Sequence, residues 1–327
     1  MRIKKTIPIN IGNLIEYYPD DFTSHLISKS DTYYMNTFES DSLAGIHRFS
    51  IPTDISEHFK GCIDNDCIYL PTKLGQILAI DKFSGKLLTS LNTSLPIMSD
   101  LKCDERFIYC VCGVPISRKW NISVDNYCVL VFDKQTGTKL AQTSYFRGYP
   151  SFLNPIEGIF YLTYGSYLLS FFREGELIIK INIGASIDFC PILSENTILL
   201  ANKDGSIRII SEEDFSFLSI IKGEPNEFGP LFSNKQLVWI TDKGVYHSDP
   251  PNKKAQIIES NRKLQHPASF DAENVWSSDF QGGVVRINTE TKEIRSLKLG
   301  LEPIKYLNQV ENSIFVATQN NLFLIET

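Results

Sequence analysis

Short apolar runs alternate with short polar turns along the whole chain. One stretch reads Asp188-Phe-Cys-Pro-Ile-Leu193, the polar Ser194-Glu-Asn196, Thr197-Ile-Leu-Leu-Ala201, Asn202-Lys-Asp-Gly205, and Ser206-Ile-Arg-Ile-Ile210; Phe217-Leu-Ser-Ile-Ile221 follows after a polar gap. Apolar runs this brief, bounded by Asn, Asp, Ser and Gly, predict strands joined by tight turns. Asp204-Gly205 supplies the positive φ angles that a short hairpin requires. The four runs are strands A to D of one repeat. Strand B of successive repeats is expected to begin near Tyr33, Cys67, Phe107, Ile159, Thr197, Leu237, Val275 and Ile314. A period of about forty residues filled with strands predicts a β-propeller.

Many B and C strands are apolar nearly throughout, as in Tyr127-Cys-Val-Leu-Val-Phe132. Such strands are expected to be covered on both faces by neighbouring sheets. The last repeat ends with Leu322-Phe-Leu-Ile-Glu326 and has no fourth strand of its own. An unassigned strand, residues 4–10, precedes the first repeat. Pairing the two closes the ring and removes an exposed edge. Pro8 requires an edge position, because it has no N–H to donate to a ladder. The expectation is an all-β, eight-bladed β-propeller of four-stranded antiparallel blades, spanning 1–327 as one domain, with residues 4–10 completing the last blade. Seven blades is the alternative.

Composition narrows the partners. Formal net charge is −6, and the Lys and Arg residues form no dense run. A nucleic-acid surface needs a basic stripe, so none is expected. No apolar stretch is long enough to span a bilayer. The start, Met1-Arg-Ile-Lys-Lys5, is basic. Pro8, Asn10, Gly12, Asn13 and Glu16 then interrupt any apolar core, which does not fit a secretion signal. A cytoplasmic protein is expected. The seven cysteines (Cys62, Cys67, Cys103, Cys110, Cys112, Cys128, Cys190) mostly lie in predicted strands, where they read as reduced, buried fillers.

Two repeats share a stronger phrase. One is Ile77-Leu-Ala-Ile-Asp81-Lys-Phe-Ser-Gly85-Lys86; the other is Val129-Leu-Val-Phe-Asp133-Lys-Gln-Thr-Gly137-Thr-Lys139. Each reads as a strand ending in an Asp-initiated turn with glycine in the left-handed position. The phrase resembles the pyrroloquinoline-quinone-type repeat of quinoprotein dehydrogenases and of the outer-membrane assembly lipoprotein. Ile287-Asn-Thr-Glu-Thr-Lys292 is a degraded copy without the glycine. The resemblance implies an eight-bladed propeller. The Trp that closes the family's repeat is replaced by Thr89 and Ala141, and no quinone pocket or calcium ligand maps onto this chain. The WD40 signature of Gly-His and Trp-Asp pairs is absent.

No catalytic constellation is legible. His25, His47, His58, His247 and His266 form no ligand pair. Cys110-Val-Cys112 places two thiols on one strand face, and Cys62 and Cys67 flank a turn; both read as packing. Gly282-Gly283 reads as a B–C hairpin turn, since no helix follows it to cradle a phosphate. No cofactor and no metal are expected.

The longest spacing, from Phe107 to Ile159, contains a 113–126 insertion between strands B and C. It carries Arg118, Lys119 and Trp120. The D–A loop beside it carries Tyr145, Arg147 and Tyr149. D–A and B–C connections leave a blade at the same end, so these six residues are expected to form an aromatic and cationic patch for a protein partner. A fold-back of Trp120 onto its own blade is the competing expectation. Tyr17, Tyr18, Asp20, Glu224, Glu227, Arg262, His266 and Glu302 are expected on other loops of that end. The leading functional expectation is a non-catalytic protein-binding propeller, in concrete form a cytoplasmic inhibitor or immunity-type protein that holds a toxin or effector. The alternatives are an enzyme or small-ligand binder using an axial pocket for a sugar or quinone, and an exported assembly scaffold.

Overall fold

The structure is a computed structural model. It describes residues 1–8, 13–19, 23–29, 33–39, 43, 47–51, 55–56, 58–114, 127–144, 146, 152–156, 158–194, 196–225, 229–233, 236–241, 243–248, 255–271, 273–310 and 313–327. These residues form eight four-stranded antiparallel sheets and no helix. The fold is an eight-bladed β-propeller. Seven blades take their strands in chain order. The eighth pairs Arg2–Pro8 with Asn321–Glu326, so the chain's beginning completes its last sheet. Pro8 lies opposite Asn321 on the outer strand, where its missing N–H removes no interior ladder bond. Arg2 and Glu326 add an exposed ion pair at the other end of that strand.

The first blade differs from expectation. Tyr33 opens its third strand, Tyr33–Glu39, not its second; Asn13–Pro19 and Thr23–Lys29 come before it. Thr23–Lys29 escapes a hydrophobic reading because it buries polar side chains. His25 Nδ1 and Thr37 Oγ1 are 2.9 Å apart, and Asn36 Nδ2 donates to Ser28 Oγ at 3.1 Å. Cross-strand partners make burial of these groups tolerable. Tyr17 and Tyr18 accordingly lie in a strand, opposite Leu26 and His25, and not in a loop.

The chain divides into two compact units, residues 31–35 with 48–191, and residues 1–30 with 36–47 and 192–327. In the first unit the third blade is sandwiched. Its B strand Phe107–Gly113 and C strand Tyr127–Asp133 are buried throughout. Tyr109, Val111, Val129 and Val131 face the fourth blade's Phe160, Leu162 and Phe171. The alternate residues Cys110, Cys112, Cys128, Leu130 and Phe132 face the second blade's Tyr69, Ile77, Ala79 and Leu91. A one-residue slip would exchange the two faces, so the register is strongly specified. In the second unit, Val238, Ile240 and Val245 of the sixth blade pack with Val275, Val285 and Ile287 of the seventh. Trp276 and Val284 pack with Ile314, Val316 and Phe323 of the eighth.

The recurrent C–D turn explains the repeated sequence phrase. Asp81 Oδ1 accepts from the Phe83 and Ser84 amides, and Gly85 N–H donates back to the Asp81 carbonyl at 2.9 Å. Asp133 does the same with Gln135, Thr136 and Gly137. Asn288 accepts from Glu290 and Thr291, and Lys292 donates to its carbonyl at 3.0 Å. Gly85 and Gly137 have φ of 68° and 67°, and Lys292 holds the same left-handed position at 60°. The degraded repeat therefore keeps the turn and bears the strain of a Cβ there. Substituting Lys292→Gly is expected to raise stability by up to about 1 kcal/mol, because relief of left-handed strain exceeds the added chain entropy. Gly85→Ala is expected to lower it by about 2 kcal/mol or more, since the new methyl is strained and would fall on the Phe49 ring. Urea unfolding of the two variants measures both changes.

Candidate functional site

The six residues expected to form the partner patch, Arg118, Lys119, Trp120, Tyr145, Arg147 and Tyr149, lie outside the described residues, as does most of the insertion. The segments that carry them do converge at their bases. Tyr127, the first residue after the insertion, exchanges backbone hydrogen bonds with Phe146, at 3.3 and 2.8 Å. The Phe146 ring is buried and stacks between Tyr127 at 6.2 Å and Tyr164 at 5.8 Å. Tyr164 stacks on Tyr167 at 5.2 Å, and Lys180 Nζ lies 4.9 Å from the Tyr167 ring centroid. This ladder runs from the third blade to the B–C turn of the fourth. It gives the insertion and the D–A segment one rigid footing.

The second compact unit presents a different patch at the same end of its blades. The seventh blade joins Asn274–Asp279 to Gly283–Asn288 through Phe280-Gln281-Gly282. Phe280 is 69% exposed. Leu301, in the connection to the eighth blade, is 85% exposed. Backbone ties their two segments together. Leu299 N–H donates to the Gly282 carbonyl at 3.2 Å, and a Cβ on Gly282 would strike the Gly300 carbonyl. Gly283 is equally confined, because a Cβ there would meet the Asp279 carboxylate. The glycine pair is thus a close-packed hairpin turn.

Asp279 organises this patch. Its Oδ1 accepts from the Gln281 and Gly283 amides, and its Oδ2 pairs with Arg262 at 2.6 Å. Two shallow clefts flank the patch. One, of about 250 Å³, is lined by Asn261, Arg262, Lys263, Asp279, Phe280 and Gln281. The other, of about 170 Å³, is lined by Leu299–Glu302 with Thr318, Asn321 and Phe323. Glu302 accepts from the Asn320 side chain. Arg262 and Glu302 therefore sit where the sequence placed them. Glu224, at the end of the fifth blade, pairs with Lys243 at 3.0 Å. His266 belongs to the strand Leu264–Phe270 and not to a loop; Asp20 and Glu227 lie outside the described residues. Phe280 and Leu301 escaped sequence reading. The signal for Phe280 was a large apolar residue at a turn position where its counterparts, Lys73 and Lys203, are polar.

At the opposite end of the blades a recurrent clasp joins neighbours. Asp64 Oδ1 accepts from the Asp66 and Cys67 amides, and its Oδ2 takes Tyr69 Oη–H at 3.0 Å and Lys134 Nζ of the next blade at 2.7 Å. Asp104 repeats this with Arg106, Phe107 and Tyr109, and Arg173 of the next blade lies 3.6 Å away. Asp271 holds the Glu273 and Asn274 amides and faces the Trp276 indole N–H. The sequence signal is an Asp five residues before a buried aromatic. Every carboxylate oxygen is engaged, which suits joining blades and leaves no free base. Burial pushes the Asp64 carboxyl up, but Lys134 and the two amides outweigh it and hold the group below the usual carboxylate range. Asp104 is likewise held down, by Tyr109, two amides and Arg173 against its burial. Among the described residues, no group of three or more His, Cys, Asp or Glu is placed to hold a metal ion.

No protein-family model matches the chain, and no curated protein matches it. Solved structures do resemble it. The computationally designed Ika8 protein aligns over 100% of both chains with a TM-score of 0.78 and 11% identity. BamB from Moraxella catarrhalis aligns over 99% of each chain at 0.70 and 11%. The WD40 β-propeller domain of Doa1 aligns over 100% of this chain and 97% of its own at 0.56 and 11%. The likeness is one of fold: the chain is of the β-propeller class.

The clasps predict an acid limit to stability. The unfolded chain takes up protons at the ordinary Asp value of about 3.9, above the folded values of Asp64 and Asp104. Their contribution is complete above that range and is lost as pH falls through the depressed folded values. Urea unfolding between pH 6 and about pH 2.5 is expected to show this decline, with a flatter profile in Asp64→Asn/Asp104→Asn. Lys134→Met is expected to cost about 1–2 kcal/mol at neutral pH, because it leaves a half-buried carboxylate without its cation.

Proposed function

We propose that the chain is a non-catalytic protein-binding propeller whose partner docks on the end of the blades that carries the B–C and D–A connections. The observation that carries this reading is the exposure of Phe280 and Leu301 on two segments tied by backbone, with Arg262 and Lys263 lining the cleft at Phe280 and Glu302 the cleft at Leu301. A large aromatic and a large aliphatic side chain within a mixed-charge rim match the composition of protein interfaces. The adjoining clefts, about 170 and 250 Å³, are smaller than the 300 to 1,000 Å³ typical of small-ligand pockets. The aromatic ladder beneath Tyr127 and Phe146 supports a second contact region through Trp120, Arg147 and their neighbours.

In its finer form the protein is a cytoplasmic inhibitor or immunity-type protein that masks a toxin or effector. The mildly acidic charge of −6 agrees with a partner bearing basic surface. The Asp-initiated C–D turns with left-handed glycines support kinship with pyrroloquinoline-quinone-type repeats.

The test is affinity for a partner recovered in stoichiometric complex from the source cells. Phe280→Asp/Leu301→Asp is expected to weaken binding by about 100-fold, as loss of two interface anchors should. Phe83→Asp, at the opposite end of its blade, should leave affinity unchanged. Trp120→Ala and Arg147→Ala are each expected to weaken it by about 10-fold. Equal affinity for all variants and the wild type would overturn the proposal.

A further inference from the structure

Six of the seven cysteines gather where the second and third blades meet, and they are not equivalent. Cys110 and Cys112 are fully buried with their sulfurs 3.6 Å apart, and Cys128 lies directly opposite Cys112. Contact with Cys112 and burial push the Cys110 thiol well up, and burial pushes Cys128 up to about 12. The Cys110 and Cys128 thiols therefore stay protonated and inert. Cys67 is also buried and raised.

Cys62 and Cys103 occupy a different setting. Each lies in the first strand of its blade, Cys62–Ile63 and Lys102–Cys103, and both strands are only two residues long. Both residues are of intermediate burial. The Cys103 thiol donates to the carbonyl of Ile63, the neighbour of Cys62, at 3.4 Å. We propose that Cys62 and Cys103 are a peroxide-reactive dithiol that closes to a disulfide joining the first strands of the second and third blades.

The asymmetry of the pair assigns the roles. Contact with the Cys62 thiol lowers Cys103, and Lys134 adds to this against burial, Asp64 and Asp104. Burial and the same contact raise Cys62. Cys103 therefore ionises first and is the attacking sulfur. Its thiolate attacks the peroxide, the O–O bond breaks, and the departing hydroxide or alkoxide takes up the proton released by Cys103. Cys103 is left as a sulfenic acid. The Cys62 sulfur then attacks the Cys103 sulfur, the S–O bond breaks, and hydroxide leaves with the Cys62 proton as water. Two thiols are oxidised and one hydroperoxide, the oxidant, is reduced to alcohol or water.

The test uses the full chain with one equivalent of hydrogen peroxide, followed by non-reducing peptide mapping. The expected product has lost two hydrogens, carries a Cys62–Cys103 cross-link, and reverts on reduction. Cys62→Ser is expected to halt at a Cys103 sulfenic acid that a dimedone probe traps; Cys103→Ser is expected to yield no cross-link. Iodoacetamide labelling of the untreated wild type needs no variant, and should modify Cys103 at least about 10-fold faster than Cys110, Cys112 or Cys128. A cross-link mapped to Cys110, Cys112 or Cys128, no loss of hydrogens, or Cys103 labelling no faster than the buried thiols would overturn the proposal.

Discussion

A sheet that is apolar on both faces cannot be stable unless something covers both. The third blade shows this in its plainest form. Its B and C strands expose neither face, one set of alternate residues packing on the fourth blade and the other on the second. Each large side chain buried this way contributes about 1.5–3 kcal/mol, far more than any surface ion pair in the molecule. The repeat, the strict register and the completion of the last blade by Arg2–Pro8 answer the same requirement. A blade left without a neighbour, or a strand edge left without a partner, would undo the burial that makes the others stable.

With the faces of the inner strands committed to packing, the two ends of each blade take on different roles. The A–B and C–D end is tied down by polar chemistry. Asp81, Asp133 and Asn288 order their own turns, while Asp64 and Asp104 reach cations on the following blade. The B–C and D–A end carries the insertion of the third blade and the exposed Phe280 and Leu301 of the seventh and its connection to the eighth. Apolar surface without an internal partner is the more informative of the two, because it gains nothing until something else covers it.

The cysteines follow the same division between packing and reactivity. Cys110, Cys112 and Cys128 fill the interface of two blades as small apolar groups. Cys62 and Cys103 lie on two-residue strands, where fewer backbone bonds hold the sheet. A cross-link at that position would reinforce the place where the ladder is shortest.

Much of this architecture was legible in the chain itself, because strand period, turn chemistry and burial on both faces are local properties. Tyr127 to Phe132 announced a doubly covered strand, Asp81 to Lys86 its turn, and Pro8 an edge. The first blade was misread by one strand, since His25 and Ser28 are buried through partners on a neighbouring strand that no local pattern reveals. The same reason separates the two kinds of site. Arg262 and Glu302 could be placed by counting loops. The meeting of Gly282 with Leu299, of Asp64 with Lys134, and of Cys103 with Ile63 could not. The last two are made by adjacent blades, whose spacing is set by side-chain packing and not by any run of residues along the chain.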